Sequence, residues 1–130
     1  MNNPMVLLAG RALMSAVFLV VGVRNVMFWG PQVAYFTKLG FPQPEFFSGL
    51  ALVIEIGAGL ALLLGWKTRW AAWLLALFVV IATAMAHRFW EFDAAQYANQ
   101  MNHFLKNLAI IGGLTFVACF GPGRAAVDKS

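Results

Sequence analysis

His103, Lys106 and Asn107 sit at i, i+3 and i+4 within the stretch Asn102-His103-Phe104-Leu105-Lys106-Asn107. That spacing puts an imidazole, an ammonium and an amide on one face of a helix. The apolar run that follows, 108–120, has only 13 residues. A bilayer span needs about 20 residues, with a lower limit near 17, so a span must begin near His103. The three polar groups then lie inside the outer third of a membrane helix, where polar side chains face protein or water and not lipid. They need partners. Glu55, deep in a second apolar run, and Arg11, which interrupts a third, are the candidates. At about 1.5 Å of rise per residue, Glu55 lies roughly 14 Å below the outer surface and Arg11 roughly 9 Å above the inner one. In a hydrocarbon core about 30 Å thick, an arginine side chain spans the remaining gap, and Lys106 approaches Glu55 from the other side. Such a buried set of Arg11, Glu55, His103, Lys106 and Asn107 can hold a polar ligand or exchange protons. The alternative is a structural ion pair that fixes helix register.

A second group gathers at the same membrane end: His87, Glu91 and Asp93, with His103 opposite. His87 and Glu91 are i, i+4, and these residue types can ligate metals. The spacing matches no compact metal motif, so hydrogen-bonded interface histidines are expected and no metal is assigned. Five Trp and twelve Phe are enough to line a quinone or lipid pocket, and they serve equally as interfacial belts. The chain carries no nucleotide-binding glycine loop, haem-attachment motif or Ser-His-Asp set.

Four helices must position these groups. The pattern predicts an all-α, integral membrane four-helix bundle forming a single domain over 1–130, with spans at about 5–27, 46–64, 70–89 and 102–120. In the first, Arg11, Ser15, Phe18, Gly22 and Asn25 recur at 3-4-3-4 spacing, one stripe that should look into the bundle. Arg24 falls on another face, as a headgroup anchor. Between the first two spans, Gly30-Pro31 and Gly40-Phe41-Pro42-Gln43-Pro44 are turn signals, and 32–39 is expected as a short helix on the membrane surface. In the second span Ala51, Glu55 and Gly59, and separately Gly57, Ala61 and Gly65, recur every four residues, a spacing that permits close helix approach within the bundle or between protomers of a homo-oligomer. Gly121-Pro122-Gly123 ends the fourth span, and 124–130 reads as a short polar tail.

Composition excludes other classes. Hydrophobic residues make up 62% and charged residues 11% of 130 residues, against about 25% charged in a typical soluble domain. Membrane lipid is therefore the solvent. The net charge of +4 is scattered, with no basic run for nucleic acid. Cys119 is the only cysteine, so neither an internal disulfide nor a CxxC redox pair can form.

Along nearly its whole length the chain resembles the DoxX family of small bacterial inner-membrane proteins. The resemblance rests on Gly10-Arg11, Tyr35 and Leu39-Gly40-Phe41-Pro42-Gln43-Pro44, then on Glu55 with Gly57 and Gly59, and on Leu64-Gly65-Trp66-Lys67-Thr68-Arg69. It continues through Ala82-Thr83, His87, Phe89-Trp90, Phe104-Leu105-Lys106-Asn107-Leu108-Ala109, Gly112-Gly113, Gly121-Pro122-Gly123-Arg124 and Asp128. Arg24-Asn25 stands where such proteins often carry lysine. The resemblance implies four helices in a bacterial inner membrane and a redox-associated component, with quinone as cofactor or a soluble redox enzyme as partner. It maps the family's recurring polar positions to Arg11, Glu55, His87, Lys106 and Asn107. A small-solute transporter and a structural scaffold are the competing functions.

Four spans put both termini on one side with Lys67, Arg69, Arg124 and Lys129, plus Arg11 just inside. Arg24, Lys38 and Arg88, plus Lys106 just inside, lie on the other. The positive-inside rule then favours cytoplasmic termini by one charge. Reporter fusions after Trp66 and after Ser130 should both read cytoplasmic, and one near Gln96 periplasmic. A periplasmic signal at Ser130 reverses the orientation.

Overall fold

The computed structural model describes residues 3–128; Lys129, counted in the charge balance, lies outside them. The chain is helical nearly throughout. Helix α1 (Pro4–Met27) starts where Asn3 caps it, its side chain accepting from the amides of Met5 at 2.9 Å and Val6 at 3.4 Å. Pro4 at the first turn costs nothing there, because that N–H would be unpaired in any case. The chain turns at Phe28 into the short helix α2 (Trp29–Lys38). Helices α3 (Pro44–Val53) and α4 (Gly59–Leu64) are joined without a break by a single π-helical turn, Ile54–Ala58. After the Gly65 turn come α5 (Thr68–Ala86) and α6 (Ala94–Phe120). Four of these rods, Pro4–Met27, Pro44–Leu64, Thr68–Glu91 and Ala94–Phe120, are long and apolar enough to cross a membrane.

The expected stripe of α1 is the one that turns inward: Arg11, Ser15, Phe18 and Gly22 are buried, and Asn25 is half-buried. Phe18 joins Ala58, Leu62, Leu75, Val79, Leu114 and Ala118 in the core. Glycine makes the close contacts. A Cβ on Gly22 would sit 2.7 Å from Ile56 Cγ1, and one on Gly59 would sit 3.1 Å from Leu19 Cδ2. Of the two small-residue series, Ala51, Glu55 and Gly59 face inward, while Gly57 is exposed with no neighbouring atom within 4 Å.

Two boundaries differ from the sequence reading. The last helix begins at Ala94, well before the expected start near Asn102, because Asp93 caps it by accepting from the Gln96 amide at 3.1 Å. The segment after Gly121 is not a free polar tail. Its backbone pairs with the end of α4, Val127 N–H to Leu64 O at 3.0 Å and Asp128 N–H to Gly65 O at 2.7 Å. The Asp128 carboxylate then accepts from Lys67 N at 2.7 Å, and from Thr68 N and Thr68 Oγ1 at 2.8 Å each, capping α5 from outside its own sequence.

Arg11 closes this junction. Its Nε donates to Leu62 O at 2.9 Å and its Nη1 to Pro122 O at 2.6 Å. Its Nη2 donates to Leu63 O at 3.0 Å and Ala125 O at 2.8 Å. The last carbonyls of a helix have no partner within it. A buried guanidinium is the one side chain with enough fixed donors to serve two helix-end carbonyls and two tail carbonyls together. The expected Arg11–Glu55 pair is thus replaced: all of these donors turn to the opposite end of the bundle from Glu55.

Arg11→Gln should lower stability in detergent by about 3 kcal/mol, since a hydrogen bond to a charged group contributes about 1.5–3 kcal/mol, and Asp128→Ala by about 1 kcal/mol for loss of a helix cap. A thermal-unfolding loss under about 0.5 kcal/mol for Arg11→Gln would show that the junction does not depend on it. Bonds from Thr68 hold the Asp128 carboxyl below the usual range. Its folded pKa is depressed, so the cap is complete above the unfolded value near 4 and weakens as pH falls through the folded value.

Candidate functional site

The end of the bundle opposite Arg11 is open. There α1, α2, α3, the π turn, α5 and α6 enclose a cavity of about 1010 Å³. Its walls are mostly aliphatic and aromatic, from Val17 and Phe18 to Leu74 and Ile110, and α2 lays Gln32, Tyr35 and Phe36 along one side. Phe36, Phe41 and Phe47 form a continuous aromatic series with ring centroids 4.9 and 5.2 Å apart. The sequence delivers this wall through Gly40 at φ 91° and Gln43 at φ 65°. Those two left-handed residues turn the chain from α2 into α3 and bring the rings together.

Two polar groups interrupt the apolar lining. The first is Glu55, which is 4% exposed although it faces the cavity. It occupies the π-helical turn, and such turns inside α-helices occur frequently at functional sites. Asn25 from α1 lies beside it on the cavity wall, but Glu55 Oε2 is buried without any partner. Arg24, Gln32 and Tyr35 line the same cavity. Partial burial pushes the Tyr35 hydroxyl up from its ordinary pKa, so it remains a donor at neutral pH.

The second group lies across the cavity between α5 and α6. The His87 and His103 rings stack with centroids 4.9 Å apart and planes 19° from parallel. His87 Nδ1 donates to Gln100 Oε1 at 2.7 Å. Asn107 Nδ2 donates to Thr83 Oγ1 at 2.9 Å, and Thr83 Oγ1 in turn donates to Val79 O at 2.6 Å. His87, His103 and Asn107 all line the cavity.

The structure therefore redistributes the residues expected to form one site. Glu55, His103 and Asn107 share the cavity, and His87 joins them. Arg11 belongs to the tail junction. Lys106 is exposed on the outside of α6, because the face that carries Asn107 inward to Thr83 turns its neighbour away. Glu91 pairs with Arg88 at 3.1 Å, both half exposed, and Asp93 caps α6. Among the described residues no three His, Cys, Asp or Glu side chains cluster as metal ligands. Sequence reasoning did not single out Gln32, Gln100 or Thr83 as polar members. The inward stripe of α1 did carry a signal for Asn25.

The comparisons with known proteins agree with this architecture. The DoxX family model matches residues 6–88. The chain belongs to the DoxX family. It is similar to two Escherichia coli inner membrane proteins, YphA (29% identical over 127 residues, 98% of this chain and 91% of the relative) and YqjF (31% over 122 residues, 94% and 88%). It is also similar to the membrane protein Rv3486 of Mycobacterium tuberculosis (32% over 127 residues, 92% and 77%). No solved structure matches. This DoxX protein is thus a membrane protein whose relatives match it over nearly its full length.

The placement of Glu55 beside Asn25 and away from Arg11 has a measurable signature. A double-mutant cycle of Glu55→Gln with Asn25→Ala should show coupling above about 0.5 kcal/mol, and one of Glu55→Gln with Arg11→Gln should be additive within about 0.5 kcal/mol. Thermal stability in detergent is the readout, and strong coupling in the second cycle would refute the geometry.

Proposed function

We propose that this DoxX protein is a redox-associated component of a bacterial inner membrane that holds a quinone-like or lipid-like molecule in the cavity between α1, α2, α3, α5 and α6. The observation that carries the reading is the unpartnered Glu55 oxygen in a mostly apolar cavity. A buried polar atom without a partner costs about 1–3 kcal/mol, more for a charge, and a bundle with no ligand could remove that cost with a leucine. A cavity of about 1010 Å³ lies at the upper end of small-molecule pockets, and a mostly apolar wall with few polar groups is what such sites use.

A quinone fits the residues present. Its carbonyls need donors, and Tyr35, Arg24, Asn25 and the histidine pair supply them, while the Phe36–Phe41–Phe47 series suits a flat ring. A bound quinone would bring two-electron, two-proton carrier chemistry. The protein's own part is to bind and orient the ring and to keep polar groups at its two edges. Transport is less well supported by a single chain, because Leu62, Leu75 and Leu114, each fully buried, fill the bundle between the cavity and the Arg11 junction.

Filling the cavity tests the reading. Ala82 is half-buried and lines the wall, so Ala82→Phe should occupy ligand space while sparing the core. Solvent extracts of purified protein, analysed by mass spectrometry, should contain an apolar oxygenated molecule near one per chain in the wild type and much less in Ala82→Phe. No such molecule, or equal amounts in both, would refute the proposal.

A further inference from the structure

Glu55 also constrains what the ligand must be. Its carboxylate is 4% exposed, lines the cavity, and leaves Oε2 with no partner. A carboxylate oxygen only accepts hydrogen bonds, while a protonated carboxyl also donates one. A hydroxyl headgroup, which both donates and accepts, meets Oε2 in either state, whereas ethers and ketones meet only the protonated form. Charge narrows the class further. Arg24 lines the same cavity and forms no ion pair among the described residues, so the wall already holds a cation to balance the carboxylate. An ammonium ligand would meet Arg24, exposed at the end of α1, as a like charge. Shape comes from the Phe36, Phe41 and Phe47 rings, which present a stacked and tilted aromatic wall suited to another ring.

We infer that the cavity selects a neutral aromatic hydroxyl compound, a phenol-type ring whose hydroxyl hydrogen-bonds with Glu55 Oε2. The inference rests on the ligand-holding reading above and adds to it the hydrogen-bonding sense of the headgroup. Asn25, the other neighbour of Glu55, acts as a positioning residue that holds the carboxyl toward the cavity.

The test uses purified full-length protein in nanodiscs and three probes of matched length: para-hexylphenol, its methyl ether and para-hexylbenzylamine. Binding is measured by equilibrium dialysis with empty nanodiscs subtracted. The phenol should bind about tenfold tighter than the ether, as expected for one further buried hydrogen bond, and tighter than the amine. In Glu55→Leu the phenol-to-ether ratio should fall to near one while ether affinity is retained, which shows that the cavity persists. Equal binding of phenol and ether by the wild type, or a preference for the amine, overturns the headgroup assignment and leaves the cavity reading standing. If none of the three binds, both fall. The wild-type comparison needs no variant, so a folding defect in Glu55→Leu cannot mask the answer.

Discussion

The fold depends on how the chain satisfies helix-end carbonyls inside a membrane protein. Water is scarce there, and every unpaired carbonyl is costly. Arg11 meets four of them at once, two at the end of α4 and two in the segment after α6. One side chain from the first helix thereby ties the second membrane rod to the last. Asp128 continues the tie to the start of α5. All four membrane rods meet at this junction, through a guanidinium, a carboxylate and backbone groups. Gly65, at φ 74°, makes the junction compact: a Cβ there would collide with Ala126 Cβ.

The two ends of the bundle use polar residues in opposite ways. At the Arg11 end the guanidinium of Arg11 donates to four carbonyls and the carboxylate of Asp128 is met by three donors. At the other end the helices part around the cavity, and Glu55 keeps an oxygen without a partner. A tightly satisfied end supports an incompletely satisfied one, which is how a small protein can tolerate a buried carboxyl group in a mostly apolar space. The histidine pair is intermediate: it is anchored through Gln100 on one ring and bare toward the cavity side of the other helix.

Much of the fold was legible in the sequence, because span length, hydropathy and stripe spacing follow directly from bilayer thickness and helix period. The inward face of α1 was read residue by residue. What was not legible was pairing. Depth arithmetic placed Arg11 within reach of Glu55, but it treats a side chain as a length and takes no account of competing acceptors. The backbone carbonyls at 62, 63, 122 and 125 have no signature in residue type, so a knot of side chain to main chain cannot be seen in a list of charges. The early start of α6 was hidden for a similar reason. The segment 94–101 is polar, and helix is set there by the Asp93 cap and by contact with α5, not by hydrophobicity. Of the residues read as one buried set, Glu55, His103 and Asn107 line one cavity, and His87, read apart from them, lines it too. Lys106 was misplaced because one helical step separates the inner face from the outer.

The junction also dictates an order of assembly. The segment that accepts from Arg11 and caps α5 follows the four membrane rods, so it is synthesised after them. Until residues 122–128 emerge, the newborn protein holds a lipid-immersed guanidinium with two of its carbonyl partners missing and the first turn of α5 uncovered. Maturation should therefore end with a late, abrupt gain in resistance to unfolding. Chains stalled before that point would offer a cell's membrane proteases a recognisable difference between unfinished and finished copies.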